Sequence, residues 1–212
     1  MRRPSSLRDF GLLAACLLGT ILLSWADSAG PRSGTGAGTG WTAPTNVAAY
    51  DNSYATASLG PAALSNPLYV SGFGFTLPGG ATVNGIVVTL ERKCSANNSC
   101  NFDAAAGAGV WLTKTAGVAA GAAKSDANNW GNSDATVTFG ANTDLWGLTW
   151  TADEINAAGF GALLKAYNSS GFTRTASLDY LAVTVYYTPG AASSGRRAVY
   201  SQTRTWPKEP RS

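Results

Sequence analysis

From Leu178 to Thr188 the chain reads LDYLAVTVYYT, and in it Leu181, Val183, Val185 and Tyr187 alternate with Tyr180, Ala182, Thr184 and Tyr186. A period of two in β-branched and aromatic residues marks a strand with one buried face, whereas an amphipathic helix would need a period near 3.6. The stretch VNGIVVTLERK repeats the pattern, with Ile86, Val88 and Leu90 on one side and Val87, Thr89 and Glu91 on the other. Pro78-Gly79-Gly80 just before it supplies turn chemistry. Further strand candidates are 54–59, 68–75, 109–114, 135–140, 161–167 and 176–188. The last two flank NSSGF, which reads as a hairpin loop with Gly171 free to take positive φ.

About eight strands in roughly 150 residues predict an all-β fold, an antiparallel two-sheet sandwich of jelly-roll-like type with one short helical turn. An open barrel is the alternative. The 212 residues suit one domain with extensions, and 13% charged residues with 25 glycines favour short strands and turns over long helices. The expected layout is a signal peptide or N-terminal anchor over 1–29, a Gly-rich linker over 30–40, the sandwich over 41–189 and a basic disordered tail over 190–212.

The leader is argued from MRRPSSLRD followed by the apolar run FGLLAACLLGTILLSWA, with Ser24-Trp25-Ala26 or Asp27-Ser28-Ala29 as cleavage sites. An uncleaved anchor, the one route to a membrane, and lipidation at Cys16 are the alternatives. Export to the cell surface or the extracellular space is the expected localisation, with a virion as the other. GPRSGTGAGTG has no apolar period and reads as flexible. The tail carries five basic residues against Glu209 and little that is apolar.

Charge is divided unevenly. Residues 41–189 hold six basic and nine acidic side chains, so the net +3 of the chain lies at its ends. A core at −3 is a poor partner for polyphosphate, which argues against nucleic-acid binding by the core. Beyond the leader only Cys94 and Cys100 remain, separated by five polar or small residues. In an oxidising compartment they would form a disulfide, and two free thiols on a loop are the alternative. A thiolate zinc site would need two further ligands, yet the chain has no histidine and no other cysteine past the leader.

The absence of histidine also removes the commonest general base and any Ser–His or Cys–His pair. No cofactor and no catalytic residue is expected. The segment DLWGLTWTADEINAAGF, at 144–160, looks at first like an active site. Thr151 and Glu154 have capping-box spacing, however, and Gly159 is placed to end the turn with a left-handed residue. Trp146, Trp150, Thr151, Asp153 and Glu154 are therefore expected to form a structural plug and helix cap. Adjacent carboxylates on one turn diverge, whereas a glycosidase pair must face across its substrate.

DANNWGNSD, at 126–134, resembles half of a calcium loop, with Asp126, Asn128 and Asp134 as a weak ligand set and an Asx turn as the simpler reading. Trp111 and Trp130 are the candidates for stacking on a ligand, since indoles offer flat amphipathic surfaces at low entropic cost.

WTAPTNVAAYDNSYAT, GFGFTLPGGATVNGIVVTLERK, SDATVTFGANTDLWGLTWTADEINAAGFGALLKA and TASLDYLAVTVYYT together resemble a module of phage virion structural proteins and some secreted bacterial proteins. The resemblance covers about 41–188. It implies a β-sandwich with a structural or adhesive role, and protein partners or self-assembly. An exported leader departs from what a virion protein needs and favours a bacterial surface protein. The alternative function is a carbohydrate-binding module that holds a glycan through surface tryptophans.

Overall fold

The computed structural model describes residues 26–190. Twelve strands and one helix follow in order. They are β1 (Asp27–Ser33), β2 (Thr35–Ala37), β3 (Ala55–Leu59), β4 (Leu68–Ser71), β5 (Thr82–Cys94), β6 (Cys100–Asn101), β7 (Gly109–Thr115), β8 (Val118–Lys124), β9 (Ala135–Ala141), α1 (Ala152–Asn156), β10 (Gly161–Lys165), β11 (Tyr167–Asn168) and β12 (Arg174–Thr188). One sheet runs β1-β12-β5-β9, with β3 also on β12, and the other runs β2-β4-β10-β7-β8. All the pairings are antiparallel. From β3 to β12 the chain passes repeatedly between the two sheets, as a jelly roll does. Strands β6 and β11 form a small separate ladder.

The alternation in β5 and β12 decides which face is inside. Ile86, Val88, Leu90, Leu181, Val183 and Val185 are fully buried, and they meet Leu68, Val70, Val110, Leu112, Ala162 and Leu164 of the other sheet in one apolar core. At the Pro78 turn, Gly80 has φ +74° and the Ala81 amide donates to the Pro78 carbonyl at 3.1 Å. Among the described residues no helix is long and apolar enough to cross a membrane.

Three expectations change. Residues 30–40 are not a linker, because most of them belong to β1 and β2, edge strands paired with β12 and β4. Glycine serves here for close approach rather than for flexibility. A Cβ on Gly34, Gly36 or Gly38 would stand 2.5 Å from the Ser71 carbonyl oxygen, 2.0 Å from that of Pro44 and 2.6 Å from that of Pro67. The folded region thus includes Asp27–Ser33 and Thr35–Ala37, ahead of Trp41. Residues 1–25 of the expected signal peptide or anchor over 1–29, and the expected tail beyond Gly190, lie outside the described residues. Cleavage after Ala26 would leave β1 whole, whereas cleavage after Ala29 would remove residues 27–29, which pair with Tyr187, Tyr186 and Val185.

The second change is at NSSGF, which is a crossing and not a hairpin. Strand β10 lies between β4 and β7, while β12 lies in the opposite sheet. Asn168, fully buried, holds the crossing by donating from Nδ2 to the carbonyls of Leu59, Gly60 and Phe172. Gly171 is not among the positive-φ residues. The third change is β8, VAAGAAK, whose alanines carry no strand signal and which pairs along the edge of β7.

Candidate functional site

The 144–160 segment is built as a closure of the sandwich. Trp146 adopts φ +60° and is fully buried. Its indole N–H donates to the Ile86 carbonyl at 2.9 Å, and its amide donates to Asp144 Oδ1 at 2.8 Å. Trp150 packs edge-on against Phe160 with centroids 5.4 Å apart and donates to the Leu145 carbonyl. Thr151 Oγ1 accepts from the Glu154 amide and Glu154 Oε2 accepts from the Thr151 amide, a complete capping box. Lys114 Nζ lies 2.6 Å from Glu154 Oε1 and holds this carboxyl below its ordinary range, with the Thr151 amide adding to the effect.

Asp153 is exposed and makes no side-chain hydrogen bond with any described residue. It contributes only its charge to the first turn. The turn ends at Ala157 in an extended conformation, and Gly159 is not left-handed. Gly159 is needed instead because a Cβ there would stand 2.9 Å from the Lys114 carbonyl oxygen.

The calcium-like loop directs its carboxylates to cations. Asp126 Oδ2 lies 3.1 Å from Arg92 Nη2, and its Oδ1 accepts from the Asn128 amide, closing an Asx turn. Asp134 lies 3.3 Å from Lys93 Nζ and accepts from the Tyr54 hydroxyl. Among the described residues no group of three or more His, Cys, Asp or Glu side chains is gathered for a metal. Cys94 and Cys100 are bridged, with Cα atoms 5.7 Å apart.

Trp130 is not available for stacking. It has no exposed surface, packs on Phe102 with centroids 4.9 Å apart and lies beneath the Arg92 guanidinium. Trp111 is different. It faces out of the second sheet from β7, and the register places it opposite Leu163 of β10, which in turn stands opposite Tyr69 of β4. Their chain neighbours Leu68, Val70, Val110, Leu112, Ala162 and Leu164 all point into the core.

The result is a Tyr69–Leu163–Trp111 row across three adjacent strands on the solvent side. The two outer rings are half-buried, and Leu163 between them is only 4% exposed. Two glycines border the row. A Cβ on Gly109 would touch the far edge of the Trp111 indole at 3.6 Å, and one on Gly117 would touch the Tyr69 ring at 3.8 Å.

Two shallow depressions lie along this row. One, of about 240 Å³, is lined by Pro67, Trp111, Gly117, Ala119, Leu163 and Lys165. The other, of about 410 Å³, shares Pro67 and Gly117 and extends to Gly38, Thr39 and Tyr69. Together they form a trough that crosses the strands. Tyr69, Leu163 and Lys165 were missed as site residues because each sits in an ordinary strand pattern, and only the register brings them beside Trp111.

On the opposite sheet, Glu91 and Asp179 are both buried where two residues of β12 bulge against one of β5. Asp179 accepts from the Asn52 amide at 3.1 Å. Burial pushes the Glu91 carboxyl up, opposed by the hydroxyl of Tyr50 and reinforced by Asp179. The Asp51 and Asn52 amides face Asp179 of this pair.

The fold is thus that of an antiparallel two-sheet β-sandwich. No family model matches the chain, and no curated protein matches it. Solved structures similar to it include a CBM4 structure, with 11% identity, a TM-score of 0.40 and coverage of 70% of this chain and 92% of that one. A second is the N-terminal cellulose-binding domain of β-1,4-glucanase C from Cellulomonas fimi, at 12% identity and TM-score 0.39, covering 70% and 87%. A third is a family 11 carbohydrate-binding module from Clostridium thermocellum in complex with a β-1,3-1,4-mixed-linked tetrasaccharide, at 10% identity and TM-score 0.34, covering 82% and 92%.

Proposed function

We propose that this chain is a non-catalytic binding module that takes a saccharide on the outer face of the β2-β4-β10-β7-β8 sheet. The observation that carries the reading is the Tyr69–Leu163–Trp111 row. Aromatic faces set across neighbouring strands, over a trough that is apolar but open, match the flat C–H faces of successive sugar rings. Glu154, expected as a cap residue, is committed to that cap and to Lys114, which supports a non-catalytic role for the 144–160 segment. The Cys94–Cys100 bridge supports an oxidising, exported setting.

A structural or adhesive building block, the other role expected from sequence, would bury the same row against a neighbouring copy. The test is affinity electrophoresis of the protein through gels carrying different soluble polysaccharides, with Trp111→Ala and Tyr69→Ala as variants. Retardation by at least one glycan, lost in both variants while the melting temperature holds, is expected. If no glycan retards the protein and Trp111→Ala instead abolishes self-association in sedimentation, the building-block role replaces this one.

A further inference from the structure

The trough has a charge character that bears on its ligand. Of the four lysines described, Lys93, Lys114 and Lys124 each hold a carboxylate, at 3.3 Å from Asp134, 2.6 Å from Glu154 and 2.6 Å from Asp144. Lys165, half-buried at the end of β10, makes no ion pair or hydrogen bond with any described residue. It stands two residues along from Leu163, so its side chain shares the outer face, and it lines the same depression as Trp111. The trough lining otherwise contains no Asp, Glu, Asn or Gln side chain. The Tyr69 and Thr39 hydroxyls and the Trp111 indole N–H are its remaining polar side-chain groups.

Such a lining is poorly equipped for a neutral sugar, whose many hydroxyls need side-chain acceptors in the site. It is well equipped for an anion beside an apolar ring face. A lone ammonium makes charge-assisted hydrogen bonds of about twice the strength of neutral ones, and lysine serves as a compact point charge that needs no planar partner. The net charge of residues 41–189, −3, opposes a dense polyanion. That combination selects a ligand with carboxylates spaced out along an otherwise neutral chain.

Resting on the saccharide-binding reading above, we infer that the trough takes a uronic-acid-containing oligosaccharide, one ring stacked on Trp111 and its carboxylate seated on Lys165.

The experiment is titration calorimetry of the full chain with a glucuronate-containing tetrasaccharide and with the same tetrasaccharide after reduction of its carboxyls to alcohols. Variants are Lys165→Gln, Lys165→Arg and Trp111→Ala. The acidic form is expected to bind about tenfold more tightly than the reduced form, in line with one charged hydrogen bond. Lys165→Gln should erase that preference, Lys165→Arg should keep most of it, and Trp111→Ala should weaken both forms. Equal binding of both forms, unaffected by Lys165→Gln, overturns the inference and leaves saccharide binding standing. Binding of neither form, together with no retardation by any neutral polysaccharide, overturns both.

Discussion

Asn156 satisfies both backbone polar groups of Leu77. Its Oδ1 accepts from the Leu77 amide at 2.7 Å and its Nδ2 donates to the Leu77 carbonyl at 3.0 Å. Leu77 belongs to no strand, so the last residue of α1 supplies the pairing that a ladder would otherwise give. Replacing Asn156 with Ala should lower stability by about 1–3 kcal/mol, because two buried groups lose their partners together. Asn156→Asp keeps only the acceptor and should fall between. Urea unfolding of the three proteins decides it, and an alanine variant as stable as the parent would sink the claim.

Glu154 should make the fold acid-sensitive. Its folded carboxyl is held below the ordinary value of 4.5 by Lys114 first and the Thr151 amide second. The unfolded chain therefore binds the proton more readily. The stabilisation is present above pH 4.5 and is lost as pH falls through the lower folded value. Glu154→Gln should flatten this limb of a plot of melting temperature against pH. An unchanged acid limb in the variant would refute the assignment.

Glu91 should act in the opposite sense. Burial raises its carboxyl above the ordinary 4.5, so the folded state binds the proton more readily than the unfolded one. Stability falls as pH rises from the ordinary value through the raised one, with the Tyr50 hydroxyl opposing the rise and the charges of Asp179 and Asp134 adding to it. Glu91→Gln stays neutral and should remove the decline, which makes the variant relatively more stable at pH 7 than at pH 4. Parallel curves for variant and parent would show that Glu91 is not the source.

The bridge between Cys94 and Cys100 closes a loop with a sequence separation of 6. The double Cys→Ser variant should lose about 2 kcal/mol of stability by chain-entropy reasoning. Intact protein should show both thiols blocked to alkylation and one crosslinked peptide by mass spectrometry. Quantitative labelling of native, oxidised material would contradict the bridge.

What could be read before the structure follows from how many physical meanings a residue has. In β5 and β12 the apolar set recurs every second residue, and only a strand facing one core explains that. The capping box at Thr151 and Glu154 was legible for the same reason, since it is local and nearly unambiguous. Glycine has two uses, and at Gly34, Gly36 and Gly38 the steric one applies, which depends on the fold bringing Ser71, Pro44 and Pro67 against them. The alanines of β8 say nothing alone and are a strand because β7 offers them an edge. Trp111 and Trp130 could not be told apart because exposure depends on neighbours. Phe102 and Arg92 close over one indole, while the other is bordered by Leu163 and by Gly109, which has no side chain, and stays half-buried.

The pairing of Asp27 with Tyr187, with the tyrosine hydroxyl donating to Asp27 Oδ2 at 3.1 Å, places the first and last strands side by side. Anything joined to either end of the sandwich departs from the same corner, so a tether at one end and a passenger at the other would emerge together rather than from opposite poles. The neighbouring ends also suit circular permutation. A short peptide from Gly190 back to Ala26, with new termini at the exposed Ala116-Gly117 turn, would preserve every strand while moving the break in the chain beside the trough.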